Sequence, residues 1–295
     1  MGSFVLSCCS TADMPASFFE KRDIAYACFH YYLGGKMYLD DLGKTMDFKE
    51  ISDRMEQGED TKTSQLNVEE YMNHFERYLS QGKDVLHLTL SSGISGTINS
   101  ACIARDDLKE KYPDRKLIIV DSLAASGGFG LLMDKLADLR DEGKSIDEVA
   151  DFALKHRLNL HHWFFTTDLT FFIKGGRVSK VSGFFGNMLN ICPLLNVNDE
   201  GKLIPRFKIR TKKKVIEACV EQMVLHAEEG TDYKGKCFIN HARCPEDAQA
   251  VADLVEEKFP ALKGRIEINY IGTTIGSHTG PGTVALFFWG DERTR

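Results

Sequence analysis

The sequence predicts an α/β fold in two domains. An N-terminal parallel-sheet α/β domain spans residues 1–161, and a C-terminal mixed α+β domain spans residues 162–295. Three observations carry this prediction. The chain has 295 residues, more than one hydrophobic core comfortably fills. Through its first half, buried-strand patterns alternate with helical ones, which implies βαβ units and a parallel sheet. In the second half, hairpin patterns stand beside long helices. The change falls near Leu160 to Trp163.

The elements follow in order. Phe4-Val5-Leu6 is a short apolar run that ends in Ser10-Thr11-Ala12-Asp13. Ile24 to Leu33, Gly34-Gly35 and Lys36 to Leu39 read as a hairpin. Asn67 with Glu70 is a capping-box start, and Val68, Tyr71, Met72, Phe75, Tyr78 and Leu79 then recur at helical spacing. Val85 to Leu90 is a strand entering a Ser/Gly loop, followed by a helix with Ala101, Ala104 and Leu108 on one face. Leu117 to Val120 is another buried strand, and a helix runs on through Leu132 and Leu136. Ser145 with Glu148 opens a further helix bearing Val149 and Phe152.

In the second half, Trp163 to Ile173 is strongly β-prone, with Lys174-Gly175-Gly176-Arg177 at the end of that strand. Ile191 to Val197, the turn Asn198-Asp199-Glu200-Gly201 and Leu203 to Arg210 read as a hairpin. A long helix carries Val215, Cys219, Val220, Met223 and Val224, with Gly230 as its stop. Strands at Cys237 to Asn240, Ile266 to Ile271 and Val284 to Trp289 complete the pattern, with a helix opening at Pro245.

Composition narrows the function. With 43% hydrophobic and 27% charged residues, the chain is ordinary globular protein rather than disordered. A net charge of −6 disfavours nucleic-acid binding, which needs a basic footprint. No apolar run approaches the ~20 residues of a membrane span. Val5-Leu6-Ser7-Cys8 lacks the basic and apolar regions of a lipoprotein signal, and Leu6 breaks a myristoylation pattern. A cytoplasmic location is expected. The eight cysteines form no CxxC and show no ligand spacing, so they read as buried reduced thiols and no metal site is expected. The adjacent His161 and His162 point apart on a regular element and read as structural.

Three loops rich in Gly, Ser and Thr carry the chemistry: Lys62-Thr63-Ser64-Gln65, Ser91-Ser92-Gly93-Ile94-Ser95-Gly96-Thr97, and Gly276-Ser277-His278-Thr279-Gly280-Pro281-Gly282, the last lying between two strands. Hydroxyls, free backbone N–H groups and a helix N-terminus together suit a small anion or carboxylate. Each loop alone reads as a turn with an N-cap. A nucleophile elbow is absent because the glycine before Ser95 stands one residue too early, and Walker A and dinucleotide fingerprints are incomplete. Arg206, Lys208, Arg210 and Lys212 to Lys214 form a basic stretch at a helix start, the wrong end for the dipole, and suit a phosphate or an acidic partner. Gly183 to Leu195 has the residues of a lipid tunnel, with Phe184, Phe185, Met188, Leu189 and Ile191 as candidates, and equally those of a core helix.

The three Gly/Ser/Thr loops, with Ser10 to Pro15, Lys174 to Arg177 and Ile191 to Leu195, stand in the order found in the DegV family, which the chain resembles over nearly its whole length. Its members are bacterial fatty-acid-binding proteins, some of them the lipid-carrying subunit of a two-component fatty acid kinase. The resemblance implies one long-chain fatty acid between two α/β domains, no other cofactor, no catalysis by this chain, and an ATP-dependent kinase as partner. A transient membrane-surface contact is compatible with it. Thr63 and Ser95, with Ser64, Gly96 and Thr97, would hold the carboxylate, and His278 and Thr279 would complete the polar end. Arg177 and Arg210 would face the kinase and the acyl phosphate. Two departures stand out: Cys9 replaces a family Asp, and Leu66 replaces a proline. The competing readings are a hydrolase or acyltransferase using Ser95 or Cys9 with His278 as base, and a regulatory module whose lipid is structural.

Overall fold

The computed structural model describes residues 4–178 and 191–295. Strands β1 (Val5–Cys9), β2 (Ile24–Ala27), β3 (His30–Leu33), β4 (Lys36–Leu39), β5 (Thr61–Ser64), β6 (Val85–Thr89) and β7 (Leu117–Asp121) lie in the first half. The helices there are α1 (Ala16–Lys21), α2 (Phe48–Glu56), α3 (Val68–Leu79), α4 (Thr97–Lys111), α5 (Ser126–Asp141) and α6 (Ile146–His156). The second half adds β8 (Leu160–Phe165), β9 (Ile191–Val197), β10 (Leu203–Arg210), β11 (Phe238–His241), β12 (Glu267–Tyr270) and β13 (Val284–Trp289). Its helices are α7 (Thr170–Gly175), α8 (Lys212–His226), α9 (Pro245–Lys258) and α10 (Thr273–Thr279).

Three sheets result. A four-stranded sheet runs β2-β1-β6-β7 with all neighbours parallel. A six-stranded mixed sheet runs β10-β9-β8-β13-β11-β12, in which β11 and β12 are parallel and the other pairs antiparallel. A small antiparallel sheet runs β4-β3-β5. The α/β class with an N-terminal parallel sheet is therefore present. Every residue of β6 is buried, as a central parallel strand covered on both faces requires.

Both expected capping boxes form, Asn67 with Glu70 on α3 and Ser145 with Glu148 on α6, and Pro245 opens α9. At the start of α8, Lys212 offsets its unfavourable place on the helix dipole through an ion pair with Asp247 at 2.9 Å.

Four local expectations change. The run Ile24 to Leu33 divides: β2 joins the parallel sheet and β3 the small one. Phe29 N–H donates to Ser10 Oγ at the break, and Asp40 N–H donates to Phe29 O. The hairpin over Gly34-Gly35 survives between β3 and β4, both glycines having positive φ as a type I′ turn demands. Lys62 to Ser64 is a strand rather than a loop, because it completes the other edge of β3. Trp163 to Ile173 is a strand only to Phe165. Thr166 Oγ1 accepts from Asp168 N–H and Asp168 Oδ1 from Thr170 N–H, and these local bonds start α7 instead. Finally, Gly276 to Thr279 belongs to helix α10, which Gly280 ends at φ 74°.

Strand parity divides the core. On the mixed sheet, Phe164, Leu195, Phe238, Ala285 and Phe287 join the core shared with the parallel sheet, while Trp163, Phe165, Leu194, Ile239 and Phe288 join a second core under α8 and α9. Helix α5 is buried between the sheets. A Cβ on Gly127 would stand 2.2 Å from Asn240 Oδ1, and one on Gly128 2.3 Å from His162 Nε2. The glycine run that lacks a dinucleotide fingerprint is thus a close helix-to-sheet contact.

Candidate functional site

A cavity of about 360 Å³ opens where the two large sheets meet, within the roughly 300–1,000 Å³ of ligand pockets. On one side it takes segments that follow the carboxyl ends of parallel strands: Phe29 after β2, Leu90 and Ile94 after β6, Ala125 and Ser126 after β7. That is where open α/β sheets place ligands. The inner face of the mixed sheet supplies Phe164, Val197, Leu203, Ala285 and Phe287. The wall is mostly apolar.

The polar rim comes from Thr63 and Gln65, Ser95 and Gly96, His278 and Thr279, and Arg177. Thr63 Oγ1 lies 2.7 Å from His278 Nε2, and Ser95 Oγ donates to Gln65 Oε1 at 3.4 Å. Ser95 Oγ also accepts from Thr97 N–H at the mouth of α4. Thr279 Oγ1 and His278 Nδ1 are buried with no hydrogen-bond partner among the described residues. Burial lowers His278 to about 4, and the Arg177 guanidinium adds to this, so its imidazole is neutral at pH 7. A buried N–H without an acceptor costs more than a bare acceptor nitrogen, so the proton belongs on Nε2, donating to Thr63 Oγ1. The Thr63 hydroxyl proton is then free to point into the cavity.

Glycines let these pieces meet. A Cβ on Gly175 would stand 2.6 Å from His278 Nδ1, and one on Gly280 2.2 Å from Phe171 Cδ2. The loop before α4 is latched to the β9–β10 turn: Ser91 Oγ donates to Gly201 O at 2.8 Å, and a Cβ on Gly201 would fall 2.0 Å from Ser91 Oγ.

Comparison with known proteins identifies the family to which this fold belongs. Residues 9–291 match the family model described as an uncharacterised protein of the DegV family. A DegV domain-containing protein of Clostridium perfringens is 38% identical over 296 residues, covering 99% of each chain. The chain belongs to the DegV family. A DegV family protein from Thermus thermophilus, whose solved structure concerns fatty acid binding, is 25% identical with a TM-score of 0.85, covering 99% of this chain and 100% of that one. The fatty acid kinase B3 protein of Streptococcus pneumoniae, solved with linoleic acid, shares the fold at TM-score 0.81 and 22% identity, over 99% of this chain and 100% of that one.

Within this DegV fold, Thr63, Ser95, Gly96, His278, Thr279 and Arg177 come together on the cavity. Other sequence candidates lie elsewhere. Ser64 neighbours Thr63 on β5 and so faces the opposite side of that strand. Thr97 is buried and bonds Tyr71 OH at 2.7 Å. Ile191, half-buried at the start of β9, does not line the cavity. Phe184, Phe185, Met188 and Leu189 lie outside the described residues. Arg210 is exposed at the far end of β10 from Leu203, which bridges Val178 beside Arg177. Seven residues of strand separate the two arginines' neighbourhoods by ~23 Å.

The nucleophile–base pairs do not form. Cys9 is fully buried away from the cavity, its thiol pushed up to about 11, with Tyr71 OH at 3.4 Å and His87 Nε2 at 3.8 Å for company. Ser95 engages Gln65 while His278 engages Thr63. Neither of the two departures, Cys9 and Leu66, lies on the cavity wall.

Sequence reasoning missed Gln65, Ser126, His162 and Thr274 as cavity residues. Parity on β8 would have found His162, since it shares a face with Phe164. Buried carboxylates position two of the hydroxyls: Ser126 Oγ donates to Asp13 Oδ2 at 2.5 Å and Thr274 Oγ1 to Asp40 Oδ2 at 2.6 Å. No helix among the described residues is long and apolar enough to cross a membrane.

Proposed function

We propose that the chain binds one long-chain fatty acid non-covalently in this cavity, with the acyl chain against the apolar wall and the carboxylate at Thr63, Ser95, Gly96 and Thr279, His278 orienting the Thr63 hydroxyl. The observation that carries the reading is an apolar cavity whose polar groups, hydroxyls, backbone N–H groups and an imidazole with Arg177 at the edge, gather at one rim. Burying about 14–16 methylenes at about 0.8 kcal/mol each yields about 11–13 kcal/mol of gross drive. Ordering and association consume much of it. The carboxylate needs no lysine clamp, because Thr63 O–H and the α4 mouth can solvate it.

The bound carboxylate, at the rim beside the exposed Arg177, is then presented to a separate ATP-dependent kinase for acyl-phosphate formation, this chain contributing no catalysis of its own. The fold shared with a fatty acid kinase B3 protein supports that partner. Native mass spectrometry of the protein purified from bacteria, followed by denaturation, tests the reading. One non-covalent fatty acid mass per chain is expected. A covalent adduct would instead point to an enzyme. Protein that is empty, and that stays empty after incubation with palmitate or oleate, would refute fatty acid binding. Acyl-phosphate formation by a fatty acid kinase, with and without this chain, tests the presentation step.

A further inference from the structure

We propose that His161, His226 and Asp291 form a site for one divalent transition-metal ion of the zinc class, on the face of the mixed sheet opposite the cavity. His161 Nε2 lies 3.0 Å from Asp291 Oδ1 and His226 Nδ1 lies 3.1 Å from the same oxygen. The three donor atoms all fall within 4.8 Å of one another. Tetrahedral ligands about 2.1 Å from zinc stand about 3.4 Å apart, so modest side-chain movement reaches coordination distance. Two imidazoles and one carboxylate suit zinc, cobalt or nickel rather than magnesium or calcium, which prefer all-oxygen shells.

The rings are held in place beforehand. His161 stacks flat on Phe288, with ring centres 5.1 Å apart and planes 5° apart, and against His226 at 5.0 Å. His226 in turn lies against Trp163 at 6.0 Å. It is the last residue of α8, where the helix dipole favours a cation. Gly290 permits the convergence: a Cβ there would stand 2.1 Å from His226 O and 3.1 Å from His161 Cδ2. The nearby Arg293 guanidinium, which opposes a cation at His161, donates to Leu123 O and Arg157 O. Asp291 is exposed, so water can complete the shell.

An ion here would staple the segment after β13 to β8 and α8. Zn²⁺ added to chelator-treated full-length protein, in competition with a chromophoric zinc indicator, provides the test. One equivalent should bind, and the melting temperature should rise with Zn²⁺ concentration. Asp291→Asn and His226→Ala each alter a partly exposed side chain, so both should fold, and each should weaken binding by ~10-fold or more. Co²⁺ should give visible bands of a four-coordinate nitrogen and oxygen site. No binding at micromolar Zn²⁺, unchanged affinity in both variants, or a cobalt–thiolate charge-transfer band from the cysteines would overturn the assignment.

Discussion

Replacing Thr63 with valine keeps the β-branched shape that suits β5 and removes only the hydroxyl. That hydroxyl lies 2.7 Å from His278 Nε2, and with the imidazole neutral its proton can be given to a carboxylate. A hydrogen bond to a charged group is worth about 1.5–3 kcal/mol, so fatty acid affinity should fall about 10- to 150-fold. Thr97→Val is the matched control. It removes a bond to Tyr71 OH in the buried interior, away from the cavity wall, and should cost about 1–3 kcal/mol of stability while leaving affinity within about twofold. Delipidated protein titrated with oleate by calorimetry, with melting temperatures measured alongside, separates the two. If Thr63→Val binds as tightly as the parent, or Thr97→Val loses as much affinity as Thr63→Val, the placement of the carboxylate is wrong.

Gly128→Ala puts a methyl 2.3 Å from His162 Nε2 and 2.8 Å from Phe287 Cδ1; overpacking of this kind costs about 1–3 kcal/mol, measurable as a lower urea midpoint. Stability should fall as pH drops from 6.5 to 4. His74, His161 and His278 are each lowered to about 4 by burial, so the unfolded chain binds more protons in that window. Asp13 and Asp40, both raised by burial, act with the contrary sign and make the net slope smaller than the three histidines alone would give; equilibrium unfolding at several pH values measures it. In brief iodoacetamide labelling of native protein, half-exposed Cys102 should react first, Cys28 more slowly because burial pushes its thiol up to about 12, and the buried Cys8, Cys9, Cys192, Cys219, Cys237 and Cys244 last. Peptide mass mapping checks the order, and early labelling of Cys9 would contradict its burial.

What the sequence by itself determined is what depends on neighbours along the chain. Capping boxes close within one helical turn, and a Gly-Gly hairpin closes between adjacent strands, so Asn67, Ser145 and Gly34-Gly35 were legible. Hydroxyl- and glycine-rich segments with free backbone donors also suit an anion, and five of their residues, Thr63, Ser95, Gly96, His278 and Thr279, meet Arg177 at one rim. Tertiary structure decided what depends on distant partners. Lys62 to Ser64 is a strand because β3 offered an open edge, and Gly276 to Thr279 is helical although its composition reads as a loop. Gly127 and Gly128 of α5 make sense only against Asn240, His162 and Phe287, residues more than thirty positions away that a Cβ would strike. Arg177 and Arg210, alike in sequence, part company because one flanks the Leu203 end of β10 and the other closes its far end. Local hydrogen bonds and turns are written in short stretches of sequence, whereas which faces meet is fixed only when the sheets pack.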